Sequence, residues 1–268
     1  MLQDKIGRLK EYLKDLGSVA IAFSGGVDST FLLKVAHEAL GDNAVAITAQ
    51  LASIPEYEIR DAVDFAVKEG IRHIVCDIDE FEIEGFQENP KNRCYICKKA
   101  IFGKMIETAA ENGINNVTEG SNTDDTGDYR PGMKAVSELD VKSPLLDCGW
   151  SKREIRDMSK QMGLSTWNKP SMACLASRFA YGETITKEKL KAVEETEKLL
   201  FDKGFSQVRV RVHGNLARIE TTENEFSKLF DEVLREEIYS ALKERGFQYV
   251  SVDLRGYRTG SMNESLSL

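Results

Sequence analysis

The sequence predicts an α/β protein: a Rossmann-like, parallel-sheet domain over residues 1–180, followed by a smaller C-terminal α+β domain over 181–268. Three observations carry this reading. Short apolar runs alternate with segments of helical periodicity through the first part of the chain, the pattern that builds a parallel sheet. A glycine-rich junction follows the first apolar run, where α/β folds place their anion-binding loops. From Thr184 the order changes to helix, two neighbouring strands, helix and strand, which is an α+β arrangement.

Each element has its own justification. Leu2, Ile6, Leu9, Leu13 and Leu16 recur at helical spacing over residues 2–16, and Val19–Phe23 is the first strand. A helix runs from Asp28 with Phe31, Leu32, Val35, Ala36 and Leu40 on its apolar face. Ala44–Thr48 is a second strand, Glu56–Glu69 a helix with Ile59, Ala62, Val63, Ala66 and Val67 on one side, and His73–Cys76 a third strand. Lys98–Asn112 is helical, Asn116–Glu119 is a short strand, and Ser151 with Glu154 forms a capping box that opens a helix running to Met162. In the second domain Lys187–Lys203 is a helix, and Gln207–His213 and Ala217–Thr221 are strands around a turn at Asn215. A helix over Glu223–Arg245 and a strand over Tyr249–Leu254 complete it.

Composition sets bounds on function. The chain has 268 residues, 41% hydrophobic and 30% charged, as a globular protein with a substantial core does. No apolar run approaches the ~18 residues of a membrane span, and Met1-Leu2-Gln3-Asp4-Lys5 lacks a signal-peptide core, so the expected location is the cytoplasm, with no membrane partner. A net charge of −8 argues against an extended nucleic-acid footprint, which needs clustered Lys and Arg to neutralise phosphates.

The segment Phe23-Ser24-Gly25-Gly26-Val27-Asp28-Ser29-Thr30 reads as a phosphate cradle. Gly25 and Gly26 allow a tight turn and close approach of the backbone to an anion, and the following helix directs its free N–H groups at it. Ser24, Ser29 and Thr30 add hydroxyl donors. An ordinary strand–turn–helix junction is the plain alternative; the hydroxyls at both ends and the place after the first strand weigh against it. The spacing and the missing lysine exclude a Walker A loop. The segment resembles the S-G-G-x-D-S signature of the PP-loop ATP pyrophosphatases, which implies an adenine-nucleotide α-hydrolase-like fold. Such enzymes cleave ATP between its α- and β-phosphates and activate a substrate as its adenylate.

Five cysteines in a cytoplasmic chain are not expected to form structural disulfides. Cys76 and Cys148 sit among apolar residues and read as small buried hydrophobes. Cys94-Tyr95-Ile96-Cys97 is flanked by Arg93 and Lys98 at a predicted helix start, a setting that favours thiolates. Cys174 lies in the loop Lys169-Pro170-Ser171-Met172-Ala173-Cys174-Leu175-Ala176-Ser177-Arg178, where Ser177 offers a hydroxyl and Arg178 a planar fork for phosphate. Three thiolates suit zinc with a fourth ligand, or a [4Fe–4S] cluster with one iron open. A redox pair, or cysteines without shared chemistry, are the alternatives.

Taken together, S-G-G-V-D-S, R-C-Y-I-C-K, E-G-S-N-T-D-D with the later D-Y-R-P-G, K-P-S-M-A-C-L-A-S-R and the terminal G-Y-R-T-G-S-M-N resemble the LarE family, ATP-dependent sulfur transferases of nickel-pincer nucleotide cofactor biosynthesis. The resemblance spans nearly the whole chain. It implies adenylation of the carboxylates of pyridinium-3,5-biscarboxylic acid mononucleotide and their conversion to thiocarboxylates, with ATP as co-substrate, Mg²⁺ placed with help from Asp28, and a homo-oligomer, a hexamer in this family. In single-cysteine members the residue matching Cys174 gives up its own sulfur. Here Cys94 and Cys97 accompany it, as in three-cysteine members whose thiolates hold a [4Fe–4S] cluster carrying an exogenous hydrosulfide, so Cys94, Cys97 and Cys174 are expected to be cluster ligands.

Further candidates are less specific. Glu119, Asp124 and Asp125 suit nucleotide or metal contacts, or turn capping. Arg209 and Arg211 alternate on one strand and share a face about 7 Å apart, suited to clamp a mononucleotide phosphate, and His213 continues that face. Glu195, Glu197 and Glu220 suit a metal or the balancing of those arginines, and Tyr257, Arg258 and Ser261 stay equally open. Three other functions fit the loop: a PP-loop tRNA thiolase, which needs a basic surface; an ammonia-dependent amide ligase resembling NAD synthetase, which has no use for the three cysteines; and a non-enzymatic nucleotide-binding module, which would release no pyrophosphate.

Overall fold

A computed structural model of the chain describes residues 2–127, 131–170, 172–258 and 260–262. Asp128, Tyr129 and Arg130 of the D-Y-R-P-G motif, Ser171, Thr259 and Asn263 lie outside the described residues. The chain forms two compact units, Met1–Ile83 with Cys94–Met172, and Glu84–Arg93 with Ala173–Leu268.

The first unit is built on four parallel strands. In chain order its elements are α1 (Leu2–Leu16), β1 (Val19–Ala22), α2 (Val27–Leu40), β2 (Ala44–Gln50), α3 (Glu56–Glu69), β3 (His73–Asp77), α4 (Arg93–Glu111), β4 (Asn116–Thr118), α5 (Pro131–Glu138), α6 (Pro144–Asp147) and α7 (Lys152–Gln161). The strand order is β3-β2-β1-β4, with Ile21 opposite Ala46 on one side and Thr118 on the other. Alternation along β1 sends Val19 and Ile21 to one face, where they pack with α1, α2 and α7 through Leu9, Leu13, Phe31, Leu32, Ile155 and Met158. Ala20, Val45 and Ile47 face the other way, against Phe102 and Met105 of α4 and Val136 of α5. Both faces are covered, as a parallel sheet requires.

The second unit contains α8 (Lys187–Asp202), β5 (Val208–His213), β6 (Leu216–Thr221), α9 (Glu232–Glu244) and β7 (Tyr249–Val252). β5 and β6 form an antiparallel hairpin, and β7 pairs in parallel with β6. Val208, Val210, Val212, Ala217 and Ile219 are buried, as are Leu190, Val193 and Leu200 of α8 and Ile238 and Leu242 of α9.

Several boundaries differ from expectation, each for a physical reason. The second unit begins at Ala173 rather than 181 and recruits Glu84–Arg93. Residues 173–180 belong there because Phe179 bridges to Val212 and because the buried Asn89 and Arg93 donate hydrogen bonds to the carbonyls of Ala180 and Ala176, both at 2.7 Å. The helix expected over Glu223–Arg245 breaks at Asp231, whose side chain accepts from Leu234 N–H at 2.9 Å and caps α9; a 3₁₀ run covers Glu223–Phe230 instead. α4 starts at Arg93, five positions ahead of the expected Lys98, so Cys94 lies in its first turn and Cys97 at the start of its second.

Candidate active site

β1 ends at Ala22 and α2 begins at Val27, leaving Phe23 to Gly26 to turn the chain. Gly25 makes the turn with a φ of +66°, and a Cβ there would stand 3.4 Å from Ala62 Cβ on α3. Gly26 caps α2 in extended geometry without a side-chain hydrogen bond, which leaves first-turn N–H groups for an anion. Ser24 and Ser29 brace the loop: their hydroxyls are 3.1 Å apart, and Ser29 Oγ accepts from Ser24 N–H at 3.3 Å. Ser24, Gly25, Gly26, Asp28, Ser29 and Thr30 thus lie together at one corner, between β1 and the first turns of α2.

That corner is the topological switch point of the sheet. β1 pairs with β2 on one side and with β4 on the other, so the chain segments leaving β1 and β4 diverge and open a crevice at their carboxyl ends. The chain leaving β4 passes close to α2: a Cβ on Gly120 would lie 3.1 Å from Ser29 N and 3.2 Å from Asp28 Cβ. Glu119 holds this turn, accepting from Ser121 N–H at 3.1 Å, Ser121 Oγ at 2.7 Å and Ser143 Oγ at 2.5 Å. Asp125 accepts from Asn122 N–H at 2.9 Å and Asp124 from Lys152 N–H at 2.6 Å. Glu119 and Asp125 thus hold the turn after β4, and Asp124 ties that turn to the first N–H of α7.

Asp28 projects from the first turn of α2. Its Oδ2 pairs with Lys152 Nζ at 2.5 Å, while its Oδ1 is buried without a hydrogen-bond partner. Burial pushes the carboxyl above the usual range, the Lys152 charge draws it back, and Asp125 adds a smaller push upward. A hard oxygen left unsatisfied beside a phosphate loop fits Mg²⁺, which takes one or two carboxylates and completes its shell with water and substrate phosphates. Among the described residues no group of three or more His, Cys, Asp or Glu side chains is gathered to hold a metal by itself.

A cavity of about 500 Å³ opens on the α3 side of the loop, with Gly25, Thr30, Asp61, Phe65, Thr166 and Lys169 on its wall. Lys169 Nζ reaches Glu58 at 2.7 Å and the Gly25 carbonyl at 3.4 Å, tying the 165–169 segment to the phosphate loop. Thr30 Oγ1 and Thr166 Oγ1 are both buried without partners.

Cys94 and Cys97 stand three positions apart at the start of α4, on neighbouring positions of one helical face. Cys97 Sγ lies 3.7 Å from the buried carboxylate of Glu80, which also accepts from Ser53 N–H at 2.8 Å and Ser53 Oγ at 2.6 Å. Cys174 belongs to the second unit and directly precedes the 3₁₀ turn Leu175–Arg178. All three are half-buried thiols. Their soft-donor chemistry suits iron, and the turn of α4 offers two ligands together.

Arg178 departs from its expected role. It is fully buried, with Nε and Nη2 on the two oxygens of Glu197 at 3.0 and 2.8 Å, and Nη1 on the carbonyls of Ala173 and Cys174 at 2.6 and 3.1 Å. The planar fork is spent on a carboxylate and on the cysteine loop, so Arg178 shapes the loop rather than gripping phosphate. Ser177 lies beside it, its Oγ accepting from Arg178 Nη1 at 3.0 Å.

Arg209 and Arg211 do share a face, and that face is buried. Arg211 pairs with Glu220 at 2.9 Å and donates to the Ser177 carbonyl at 3.2 Å, and Ser261 Oγ bridges the pair. Arg209 lies under the Tyr257 ring at 5.3 Å; burial and the Arg178 charge draw it below the usual arginine range. Burial, then Arg218, lowers His213, whose Nε2 is buried without a partner. Glu195 binds Arg245 at 2.6 Å, and Arg258 pairs with Asp253 at 3.3 Å. Glu197 and Glu220 therefore balance arginines.

Lys152, Lys169, Glu58 and Glu80 escape sequence reasoning. Lys152 sits inside the capping box Ser151–Glu154, which explains the helix start and hides the lysine's reach to Asp28, 124 positions away. Glu58 and Glu80 look like ordinary surface acids of short helical segments, and only their burial sets them apart.

Comparison with known proteins agrees with this geometry. Residues 1–102 match the NAD synthase family. The chain is 42% identical to an uncharacterized protein of Synechocystis sp. over 100% of both chains, and 32% identical to an uncharacterized protein of Methanocaldococcus jannaschii over 95% of this chain and 98% of that one. It is 36% identical to the pyridinium-3,5-bisthiocarboxylic acid mononucleotide synthase of Lactiplantibacillus plantarum, over 99% of this chain and 96% of that enzyme. A match of that extent, with the phosphate loop at the switch point of a parallel sheet, means that the chain belongs to the LarE family of PP-loop, ATP-dependent sulfurtransferases.

Proposed function

We propose that the protein adenylates the carboxylates of pyridinium-3,5-biscarboxylic acid mononucleotide and converts them to thiocarboxylates. The full-length similarity to the L. plantarum synthase is the observation that carries this reading. A carboxylate resists nucleophiles because its charge repels them and oxide leaves poorly. Adenylation removes both obstacles: a carboxylate oxygen attacks the α-phosphorus, the bond from that phosphorus to the bridging oxygen breaks, and pyrophosphate departs. The first-turn N–H groups of α2 and the hydroxyls of Ser24 and Ser29 hold the departing phosphates. Asp28 would hold Mg²⁺, which when bound offsets charge on those phosphates. A sulfur nucleophile then adds to the acyl carbon, and AMP leaves with the carboxyl oxygen.

For sulfur we assign Cys94, Cys97 and Cys174. These three would hold a [4Fe–4S] cluster, which supplies an open iron for exogenous hydrosulfide. Arg178 holds the carbonyl of Cys174 and so fixes where that thiol is presented. The net charge of −8 weighs against an extended polynucleotide partner. By family resemblance the active form is a cytoplasmic homo-hexamer.

The test is pyrophosphate exchange into ATP, dependent on the pyridinium mononucleotide, followed by mass analysis of the product. Exchange without thiocarboxylate on ammonia addition would favour an amide ligase, and no substrate-dependent exchange would overturn the reading. Iron and acid-labile sulfide in anaerobically reconstituted Cys94→Ser, Cys97→Ser and Cys174→Ser protein tests the ligand set. Unchanged iron in Cys174→Ser defeats the three-ligand assignment, and dehydroalanine at position 174 after turnover replaces cluster delivery with sacrifice of Cys174.

A further inference from the structure

A chain of hydrogen bonds runs from β3 through β2 into the first peptide of the phosphate loop. β1 and β2 pair as far as Ala22 and Ile47, and Phe23 still donates its N–H to the Ile47 carbonyl at 2.8 Å before the chain leaves the sheet. The Phe23 carbonyl accepts from Oγ1 of Thr48, a buried side chain of β2, at 2.7 Å. The same oxygen lies 2.7 Å from Nε2 of His73, the first residue of β3. These side chains meet because His73 stands opposite Ala46, two positions before Thr48, and period-two alternation puts both on one face. The His73 ring also meets the Phe23 ring edge-on, with centroids 5.9 Å apart at 75°.

Proton counting gives this chain a direction. A hydroxyl carries one proton and a carbonyl can only accept, so the Thr48 proton is committed to Phe23. The contact with His73 is then a hydrogen bond only if Nε2 carries a hydrogen and donates it to Thr48 Oγ1. Burial lowers the His73 pKa from the ordinary histidine range, so the ring is neutral at pH 7 and its one proton sits on Nε2. In a planar trans peptide the carbonyl and the following N–H point opposite ways, so holding the Phe23 carbonyl aims the Ser24 N–H. That N–H donates to Ser29 Oγ at 3.3 Å. With this lone pair taken, Ser29 keeps its own proton to give, here to the Gly26 carbonyl at 3.4 Å or to Ser24 Oγ at 3.1 Å.

We propose that His73 and Thr48 are positioning residues for ATP cleavage: they hold the Phe23–Ser24 peptide so that Ser29 presents a hydroxyl proton to the leaving pyrophosphate. This rests on the adenylating reading above. Phosphate oxygens accept hydrogen bonds, so a hydroxyl of the cradle serves them as a donor. Charge grows on those oxygens as the bond to the α-phosphorus breaks. A donor aimed beforehand therefore favours the transition state over bound ATP, and one that must reorient loses that advantage.

Nitrogen NMR of the histidine rings, with His73 assigned by its loss in His73→Gln, reads the proton placement without turnover. A neutral Nε2–H ring is expected, and an Nδ1–H ring overturns the proposal. Substrate-dependent pyrophosphate exchange reads the positioning. His73→Gln keeps an amide donor near the place of Nε2, whereas the shorter His73→Asn puts its amide near Nδ1. Thr48→Ser keeps the hydroxyl, and Thr48→Val removes it with little change of shape. His73→Asn and Thr48→Val are expected to lose about tenfold in kcat while KM for ATP moves less than about twofold, and His73→Gln and Thr48→Ser to recover most of the loss. Because both residues act through one carbonyl, His73→Asn combined with Thr48→Val should lose no more than Thr48→Val alone. A pair that only stabilises the fold predicts lower urea midpoints with wild-type kcat. That result overturns the proposal, as does a His73→Gln protein as slow as His73→Asn. Should Thr48→Val fail to fold, the contrast between the two His73 variants decides alone. No exchange by the wild-type protein overturns the adenylating function itself, whereas an Nδ1–H ring in a wild-type protein that does exchange overturns this inference only.

Discussion

Arg178 and Glu197 meet face to face, two nitrogens on two oxygens at 3.0 and 2.8 Å, with both side chains out of solvent. The same guanidinium holds the carbonyls of Ala173 and Cys174, and Glu197 Oε1 also accepts from Val210 N–H at 2.9 Å. One ion pair thus joins α8, β5 and the cysteine loop inside the second unit.

Removing one partner leaves the other as a buried, uncompensated charge. Glu197→Gln should lose about 3–5 kcal/mol of unfolding free energy, whereas Arg178→Met with Glu197→Leu should recover most of that loss, because the desolvation cost vanishes with both charges. Urea unfolding of the two proteins checks this. In the double variant the Cys174 carbonyl loses its donor, so thiocarboxylate formation should fall even where stability returns.

Gly120 offers a clean test of the phosphate loop. A methyl group there would press on Ser29 N and Asp28 Cβ at 3.1 and 3.2 Å, both part of a helix that has little room to retreat. Gly120→Ala should cost about 1–3 kcal/mol through overpacking and reduce pyrophosphate exchange about tenfold or more by displacing the first turn of α2. Exchange at the wild-type rate would show that this turn does not contact the nucleotide.

Glu225 makes acid stability predictable. Burial works to raise its carboxyl, yet the Ser206 N–H at 2.8 Å, the Thr222 hydroxyl and Lys228 outweigh it and hold the group at about 2, against an ordinary 4.5. A depressed carboxyl contributes stability that is present above its unfolded value and lost as pH falls toward the folded one. Denaturant unfolding should therefore weaken from about pH 4.5 down toward pH 2. Glu225→Gln should be less stable at pH 7 and show a shallower decline across that window; a slope equal to wild type would remove Glu225 from the account.

The phosphate loop is legible in the sequence because everything that makes it is local: an apolar run, two glycines, hydroxyls and an amphipathic helix, all between Val19 and Leu40. The capping box of α7 was legible for the same reason, and both of its reciprocal hydrogen bonds are in place. Arg178 is not legible in the same way, because a guanidinium beside a cysteine and a serine looks like a phosphate ligand, and Glu197, which fills its fork, lies 19 positions on. Arg209 and Arg211 share the predicted face, but period-two alternation says which residues lie together and not whether the face is wet; here the covering residues are Tyr257 and Ser261. The start of α4 lies ahead of the one the sequence suggests because Cys, Tyr and Ile carry weak helix propensity, which tertiary packing overrides.

The division of the backbone has a consequence for how this molecule can be cut or recombined. The chain changes unit at 83/84, at 93/94 and at 172/173, so a single scission releases neither half intact. A fragment beginning at Ala173 would carry every strand of the smaller sheet and still lack Asn89 and Arg93, and with them the donors for the Phe179, Ala180 and Ala176 carbonyls. The ten-residue excursion Glu84–Arg93 acts as a stitch, and it hands the chain straight to Cys94. Grafting the smaller unit onto another nucleotide-binding scaffold would mean transplanting two separate stretches of gene, with the C-x-x-C helix anchored at the second seam.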